Sequence, residues 1–331
     1  MTDFRLASID WGSVRLLHAD HLHGETSYLE ELARWVLLHT TGPGVAYMGP
    51  DALTMLGSSP TTYRLTLRRF AAVTAGGYWI QIGDDEDNPT LDLDRQHHLD
   101  SVVSICVGVD TRAKESREHA PGRSSALLEC RSLWPRYALG IGDSLDGCDC
   151  LKIAELVNDA GNLVLNTGLI PDCIHLDSHP ALVDAVREIT NLANDGLQRL
   201  ASLPANVREI AAQFAVALAP GSVLVDWRVH PRAYLDRMGG VLQANLLVAQ
   251  LCQDNSPHLP TVIHLVNEAL KYLHQSDGHG PWLGPALQKI GDALRELLLL
   301  YPAMKVQQAP AAQPDSPQFK TIDGREVIRG S

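Results

Sequence analysis

Four residues near the start of the chain have side chains that could bind a metal ion. The segment HADHLHGE contains His18, Asp20, His21 and His23 within six positions. A hydrolytic zinc site needs three protein ligands and an open fourth position, and imidazole and carboxylate groups are suitable ligands. The order of these residues differs, however, from the HxHxDH loop of metallohydrolases. The cluster therefore supports two hypotheses: a metal-dependent hydrolase, or an ordinary segment whose histidines face solvent or form hydrogen bonds.

The rest of the sequence offers few further ligands for such a site. The segments RQHHLD, with His97 and His98, and IHLDSHP, with His175, lack the HExxH spacing that places two histidines on one helix face. Cys148 and Cys150 lack the CxxC spacing and the second pair of a structural zinc site. The sequence contains no GxSxG, P-loop or GxGxxG motif. We therefore expect a protein that is not an enzyme and that has no cofactor and no bound metal.

The composition is that of an ordinary globular protein with an acidic surface. The chain has 331 residues, enough for two domains, of which 45% are hydrophobic and 20% charged. Its 39 acidic residues and 27 Lys and Arg residues give a formal net charge of −12, which argues against nucleic acid or an anionic membrane as the main partner. The six cysteines show no regular framework, no signal peptide precedes the first polar segment, and no apolar run has the roughly 20 residues that cross a bilayer. We expect free thiols, a cytoplasmic location and contacts with other proteins.

The first half of the chain has the pattern of short strands separated by turns. Apolar residues alternate in segments such as TTYRLTLRRFAAV, and Gly, Asn and Asp residues lie between the segments. This spacing favours a sandwich or barrel over alternating strands and helices. The predicted strands are 61–73, 77–83, 101–110, 125–134, 136–142, 150–157 and 162–166. One earlier segment predicts a helix, because a single helical face carries Leu29, Leu32, Ala33, Val36 and Leu37.

The pattern changes to a helical period near residue 175. Ser178 is a predicted N-cap before Pro180, and apolar residues then recur at alternating steps of four and three. These residues are Leu182, Val186, Ile189, Ala193, Gly196 and Leu200. Further helices are predicted at 205–218, 230–251, 260–275 and 283–301, and their short connections favour antiparallel neighbours in a bundle. We predict an α+β fold with a β-rich domain at 1–175, a helical bundle at 176–302 and a flexible tail at 303–331.

The predicted tail has two parts. The segment VQQAPAAQPDSPQ is rich in Ala, Pro and Gln, which is typical of disorder. Apolar alternation returns in FKTIDGREVI around Ile322, Val327 and Ile328. This last segment is either a disordered terminus or a short element that becomes ordered on a partner.

The flanks of the histidine cluster resemble a known family. The segment DWGSVRLLHADHLHGETSYLEEL is similar to the start of the TssK-type baseplate subunits of bacterial type VI secretion systems, where a Trp precedes a run like LLxPQHFQQxDxYLE. The matching residues are Trp11, Gly12, Leu16, Leu17, His21, Tyr28, Leu29 and Glu30. Ala19, Asp20 and Leu22 differ from the family's Pro, Gln and Phe.

Weaker similarities to the same family follow in the family's order. PGVAYM at 43–48 resembles a strand of the family, and Ile170 and Pro171 resemble the end of a later strand. The segment HPRAYLDRMGGVL resembles a helix of the family through His230 and Pro231, and the similarity of LKYLHQ is weaker still. The resemblance covers about residues 8 to 275.

The resemblance implies a fold and an assembly. TssK-type proteins are similar to the receptor-binding proteins of siphophage tails, in which a β-sandwich shell domain precedes a helical bundle and three chains surround a threefold axis. The narrow apolar seam of the first bundle helix suits a position near such an axis, and it suits packing inside the chain's own bundle equally well. The seam residues in question are Leu182, Val186, Ile189, Ala193 and Leu200.

The resemblance also implies a structural function: a trimeric adaptor that links baseplate wedges to an anchoring membrane complex. The shell of the family faces the wedge, so Trp11, Leu16, Leu17 and His21 are candidate wedge-binding residues, although Trp11 also suits a core position. Family members continue into a C-terminal head domain that is thought to bind the membrane complex. Here the bundle leads into a short polar tail, so the anchor, and any peripheral association with the inner membrane, stays open. A phage-tail receptor-binding subunit of the same architecture is a further alternative.

Overall fold

The structure is a computed structural model of the chain. It describes residues 18–59, 61–84, 88–94, 102–117, 132–142, 145–160, 162–166, 168–202, 205, 208–209, 225–252, 256–275, 282–301, 320–322 and 325–327. The chain begins, within these ranges, with helix α1, Ala19–Thr40. The predicted helix around Leu29 to Leu37 is confirmed and is longer than predicted.

Ten strands lie between α1 and the next helix among the described residues, and these strands pair with one another in antiparallel register. They are β1 Gly44–Met48, β2 Leu53–Ser59, β3 Thr62–Leu67, β4 Phe70–Val73, β5 Trp79–Ile82, β6 Thr90–Asp94, β7 Val103–Arg117, β8 Ser132–Ile141, β9 Cys148–Asp159 and β10 Asn162–Leu165. They form three sheets, with the strand orders β1-β4-β5, β2-β3-β6 and β10-β9-β7-β8.

The single strand predicted over 61–73 is wrong, because the chain changes sheets inside it. Arg69 has a φ of 45°, in the left-handed region, and it separates β3 from β4. The backbone N–H of Arg69 donates to the carbonyl of Gly83, and that of Arg68 donates to the carbonyl of Ala52. Apolar residues alternate on both sides of this reversal, so the period of two continues through a corner that it does not reveal.

The four-stranded sheet contains the longest strands. The predicted strands 101–110, 150–157 and 162–166 are confirmed as β7, β9 and β10, with β7 extending to Arg117. The separate strands predicted at 125–134 and 136–142 are instead one strand, β8, which includes Pro135, and residues 125–131 lie outside the described ranges. Proline is tolerated because β8 is an edge strand of its sheet.

Four long helices form the second half of the described chain. They are α2 Pro180–Ser202, α3 Pro231–Cys252, α4 Leu259–Gln275 and α5 Leu283–Leu300. Short connections and the contacts of Gly239 with Leu270 and Leu273 make α3 and α4 antiparallel neighbours. The predicted helix 205–218 lies mostly outside the described residues.

Hydrogen bonds join the two halves of the chain. The backbone N–H of Val45 in β1 donates to the carbonyl of Asp172 at 2.7 Å, and that of Met48 donates to the carbonyl of Ser178 at 2.7 Å, just before α2. Buried side chains of the sheets and the helices belong to one continuous hydrophobic core. The α+β class, with the three sheets before the four long helices, is confirmed. The likeness of the first domain to a siphophage receptor-binding sandwich stays a prediction.

The last described element is a hairpin inside the predicted tail. Strands β11 Lys320–Ile322 and β12 Arg325–Val327 pair with each other in antiparallel register around residues 323–324, which the sequence gives as Asp-Gly. Asp-Gly is a strong signal for a two-residue hairpin loop. None of the helices in the described ranges is both long enough and apolar enough to span a membrane.

Candidate functional site

The histidine cluster forms the N-terminal turn of α1. His18 is the N-cap residue, and its backbone N–H donates to Nδ1 of His21 at 3.2 Å. The two imidazole rings meet edge to face, with centroids 5.5 Å apart. The side chains of Asp20 and His23 are exposed. His18 and His21 therefore contribute to capping α1, since they bond within the first turn, where backbone N–H groups have no helical partner.

The cluster does not assemble a metal site. Within the described part of the chain, no group of three or more His, Cys, Asp and Glu side chains is arranged to hold a metal ion. The hydrolase hypothesis required His18, Asp20, His21 and His23 to converge on one point. Successive residues of a helix project about 100° apart, so a cluster this dense in sequence spreads around the first turn. The hydrolase alternative is not favoured.

The C-terminal half of α1 rests on the turn between β4 and β5. The Nε of Arg34 donates to the carbonyl of Gly76 at 2.9 Å, and its guanidinium lies 4.1 Å from the ring centroid of Tyr78. Gly77 has a φ of +81°, and a Cβ at this position would lie 2.6 Å from the carbonyl oxygen of Arg34. Only glycine permits this close approach of the helix to the turn.

A carboxylate from a distant strand fixes the same turn. Asp149, at the start of β9, accepts hydrogen bonds from the Thr74 hydroxyl and from the Gly76 backbone N–H, the latter at 2.7 Å. The neighbouring Cys150 accepts a hydrogen bond from the Leu145 backbone N–H at 3.3 Å. The Cys-Asp-Cys run thus has a structural role here, carried by its aspartate. No sequence signal predicted this bond, because its partners are more than 70 positions apart.

The opposite side of α1 exposes apolar side chains. Leu22, Leu29 and Val36 are 51%, 54% and 42% exposed and recur at intervals of seven residues. A seven-residue interval places side chains along one stripe of a helix. Trp35, 38% exposed, stacks on His39 beside it. We call Leu22, Leu29 and Val36 the α1 stripe. The sequence predicts this helix but not that its stripe is exposed.

The candidate wedge-binding residues lie at the edge of the described chain. Trp11, Leu16 and Leu17 fall outside the described residues, and His21 lies in the first turn of α1, partly buried. Their role in binding a wedge stays a prediction.

The seam of the first bundle helix is buried inside the chain itself. All five seam residues have exposures of 5% or less, and they face a core shared with α3 and α5. Polar contacts flank this packing: Glu188 of α2 pairs with Arg295 of α5, and Arg199 donates to the carbonyl of Leu298 at 3.1 Å. The two helices therefore run in the same direction. The five buried seam residues of α2 are Leu182, Val186, Ile189, Ala193 and Leu200.

Two helices of the bundle begin with the same His-Pro dipeptide. Nδ1 of His179 accepts from the backbone N–H of Ala181 at 3.2 Å, and Nδ1 of His230 accepts from that of Arg232 at 3.1 Å. Proline follows each histidine at the first helical position, where a missing N–H costs nothing. The predicted N-cap, Ser178, is therefore wrong by one position, and its hydroxyl instead accepts from the backbone N–H of His175 at 3.0 Å.

Both capping imidazoles have a lowered pKa. Burial lowers the pKa of His179 from 6.5 to about 4. Burial also lowers the pKa of His230, with smaller contributions from His175 and Arg232 nearby. An accepting Nδ1 carries no proton, so the lowered pKa values agree with the hydrogen bonds. The sequence signal that could have predicted these caps is the His-Pro dipeptide. It occurs twice, each time directly before a segment whose apolar residues have a helical period.

A cavity of about 330 Å³ lies between α2, α5 and the segment before α2. Its lining includes Leu169, Ile170, Ile189 and Leu287, and the Glu188–Arg295 ion pair contributes the charged side chains. This lining contains no Ser, Cys, Thr or His that could act as a nucleophile or base. Glycines and apolar residues form most of this lining, as in a gap between packed helices.

Comparison with protein families gives a match to a type VI secretion family over part of the chain. The family model described as "Bacterial Type VI secretion, VC_A0110, EvfL, ImpJ, VasE" matches residues 110–220, which span the second half of the sheets and the start of the bundle. No curated protein matches the chain.

Comparison with solved structures covers more of the chain. One similar structure is a chain of the type VI secretion TssK–TssF–TssG baseplate subcomplex, with 16% sequence identity to this protein and a TM-score of 0.63. The alignment covers 89% of this protein and 100% of the subcomplex chain. A chain of the type VI secretion baseplate complex is 17% identical, with 89% and 99% coverage and a TM-score of 0.64. The crystal structure of TssK is 14% identical, with 89% and 70% coverage and a TM-score of 0.63. The resemblance to TssK-type proteins is thus confirmed at the level of the fold: over most of its length, this chain has the fold of TssK.

Proposed function

We propose that this protein is a structural, non-enzymatic subunit of a type VI secretion baseplate, which works as a homotrimeric adaptor between baseplate wedges and an anchor. The observation that carries the proposal is the alignment with a whole chain of the TssK–TssF–TssG subcomplex over 89% of this chain. The family match to type VI secretion over residues 110–220 supports it independently. The proposal keeps the predicted domains: a β-rich domain at 1–175, a helical bundle at 176–302 and a flexible tail at 303–331.

The partners follow from the solved assembly. That subcomplex contains TssF and TssG together with TssK. We therefore propose the corresponding wedge proteins as the binding partners of this chain. Trp11, Leu16, Leu17 and His21 are the residues proposed to contact them, with Trp11 as the aromatic anchor of the interface. The protein would act on the cytoplasmic side of the envelope without inserting into the membrane, and the partner that anchors it stays open.

The α1 stripe is the surface proposed to join the three copies. Leu22, Leu29 and Val36 extend over 14 residues, about 21 Å of helix at 1.5 Å per residue. A stripe at seven-residue intervals is the pattern by which parallel helices pack around an axis. The seam of α2 is already buried within the chain, so the exposed stripe fits the threefold contact better than the seam does.

Two double variants test the proposal by separating its two contacts. W11A/L17A should lose binding to the wedge proteins and keep the trimer, because it removes the aromatic anchor and leaves the stripe intact. L29E/V36E should lose the trimer, because glutamate cannot be buried unpaired in an apolar contact. The measurements are co-purification with a tagged wedge protein and the light-scattering mass, about 108 kDa for three chains of 36.1 kDa.

The control variant is H23E/S27E, which adds the same charge to exposed positions of α1 away from the stripe. It should bind the wedge and remain a trimer. If W11A/L17A has the mass of one chain, these residues hold the fold or the trimer and not the wedge. If L29E/V36E keeps the mass of three chains, the stripe is not the threefold contact.

A further inference from the structure

Two cysteines lie on one face of strand β9, on either side of Asp149. Cys148 and Cys150 are two positions apart in an extended strand, so their side chains project to the same face and that of Asp149 projects to the other. Both thiols are partly buried, and neither belongs to a disulfide. The thiols and the carboxylate are therefore carried by three consecutive residues on opposite faces of one strand.

Gly108 of β7 leaves one space that both cysteine side chains share. It pairs with Cys150 in the sheet. A Cβ at Gly108 would lie 2.9 Å from the Cβ of Cys148 and 2.9 Å from the Sγ of Cys150. The thiol of Cys150 is also turned toward Cys148, since it donates to the Cys148 carbonyl at 3.6 Å. The two cysteine side chains are therefore close neighbours above a residue that has no side chain.

On the opposite face of β9, Asp149 holds the turn on which α1 rests. Its carboxylate accepts hydrogen bonds from the Thr74 hydroxyl and from the Gly76 backbone N–H. The carbonyl of Gly76 in turn accepts from the Nε of Arg34 in α1. A change in the backbone of β9 at Asp149 thus reaches α1 through a short series of hydrogen bonds.

A disulfide between the two cysteines would change that backbone. Residues two positions apart in an extended strand have Cα atoms about 6.6 Å apart, whereas the usual Cα separation across a disulfide is about 5.5–6 Å. Closing the bond therefore shortens the strand and bends it at its middle residue, Asp149. The carboxylate of Asp149 then no longer points at the same place on the β4–β5 turn.

We propose that Cys148 and Cys150 form a site of reversible oxidation. Oxidation joins the two thiols in a disulfide, displaces the carboxylate of Asp149 and releases α1 from the β4–β5 turn. The release of α1 depends only on contacts within one chain. Its consequence for the assembly rests on the proposed function, because the α1 stripe is then no longer held in place to join three copies.

The oxidant for this site is hydrogen peroxide or another hydroperoxide. One cysteine, as its thiolate, attacks a peroxide oxygen, the O–O bond breaks, and a sulfenic acid and one water molecule form. The second thiol attacks the sulfenic sulfur, the S–S bond forms, and the S–O bond breaks with release of a second water molecule. Two sulfur atoms are oxidised and the peroxide is reduced to two water molecules. A dithiol reductant reverses the reaction by thiol–disulfide exchange.

Peroxide treatment of the full-length protein tests this site. The tryptic peptide 137–152 contains Cys148 and Cys150 and no other cysteine. Mass spectrometry should show that this peptide loses two hydrogen atoms on treatment and regains them with dithiothreitol. Limited proteolysis of the oxidised protein should cut within residues 19–40 about fivefold faster than in the reduced protein, because α1 is no longer anchored. The light-scattering mass should fall from that of three chains to that of one.

C148S and C150S are the matched variants, because each removes one partner of the bond and keeps the other cysteines. In both variants, peroxide should change neither the cleavage of α1 nor the mass, and either variant suffices if the melting temperature shows that the other is unfolded. D149A, kept reduced, should be cut within α1 as fast as the oxidised wild type, because it lacks the carboxylate that holds the turn.

Each result decides the proposal. A peptide that keeps both thiols, that gains oxygen instead of losing hydrogen, or that is joined to a second chain overturns the disulfide. A disulfide that forms without faster cleavage of α1 overturns the link between the thiols and the helix, and so does a response to peroxide that persists in C148S and C150S. A reduced wild-type protein that is monomeric and binds no wedge protein contradicts the proposed function alone, because the cleavage of α1 is still measured in a single chain.

Discussion

Histidine side chains begin two helices of the bundle, and at the residue scale their protonation links the fold to pH. His179 accepts the backbone N–H of Ala181 on Nδ1, and burial lowers its pKa to about 4. In the unfolded chain the same imidazole has a pKa near 6.5. Above pH 6.5 both states are neutral, so this residue then contributes no pH dependence. Below that value the unfolded chain binds the proton first, and stability is lost as the pH falls toward 4.

We predict a measurable acid destabilisation from this single residue. The slope is at most about 1.4 kcal/mol per pH unit, so the free energy of unfolding should fall by about 1–2 kcal/mol between pH 6.5 and pH 5. H179N should remove this part of the slope and keep most of the stability at pH 7, because asparagine is a good N-cap that does not titrate. Urea unfolding at several pH values measures the difference between the two proteins.

The control is H264Q, at an exposed position in the middle of α4. Its pH profile should follow that of the wild type. A profile of H179N that also follows the wild type between pH 6.5 and 5 would contradict the neutral, capping role of His179.

At the scale of the element, α1 is held by a small contact. Arg34 reaches the Gly76 carbonyl and the Tyr78 ring, and Gly77 lets the helix backbone approach the turn. Asp149 fixes that turn from β9. One glycine and one carboxylate outside the helix therefore help to position the α1 stripe on the molecule.

We predict that G77A detaches α1 without unfolding the sheets or the bundle. Alanine at a φ of +81° is strained, and its Cβ would overlap the carbonyl oxygen of Arg34. Limited proteolysis should then cut within residues 19–40 faster than in the wild type, and the trimer mass should fall because the stripe is no longer held in place.

G240A is the matched control, since a Cβ there meets no atom within 4 Å and the residue lies in a helix. It should keep or slightly raise the stability, by about 0.5–1 kcal/mol. Equal protease resistance of α1 in G77A and the wild type would show that this contact does not hold the helix.

Periodicity predicted the helices of this fold better than its sheets. The apolar seam of α2 was predicted residue by residue, because a long helix repeats one pattern many times. Strands β2 and β6 were not predicted, and β3 and β4 were merged, because Arg69 turns the chain in a conformation that non-glycine residues rarely adopt. The pattern of apolar residues in the sequence also could not show which apolar stripe of a helix faces the core of its own chain.

The candidate sites were predicted less well, for a physical reason. His18, Asp20, His21 and His23 have the composition of a metal site, but convergence depends on the backbone that carries them, and α1 spreads them apart. The bond from Asp149 to the β4–β5 turn joins residues far apart in sequence, which no local pattern can indicate. Resemblance to a family added what periodicity could not, namely the order of sheets and bundle in one known fold.

At the scale of the whole molecule, the function that we propose is that of a connector. Within its described residues, no group of three or more His, Cys, Asp and Glu side chains is arranged to hold a metal ion, and the α1 stripe is exposed. The fold aligns with a complete chain of a baseplate assembly at a TM-score of 0.63. In the proposed function, the molecule works through surfaces that bind other chains, so its copy number in a complex is the property to measure.

The most direct test is native mass spectrometry of the protein purified through a tagged TssF- or TssG-type wedge protein of the same machine. The account predicts a stable complex that contains this chain in multiples of three, with 36.1 kDa for each copy. A complex that contains a single copy of this chain would contradict the proposed function. So would the absence of this chain from the purified wedge protein.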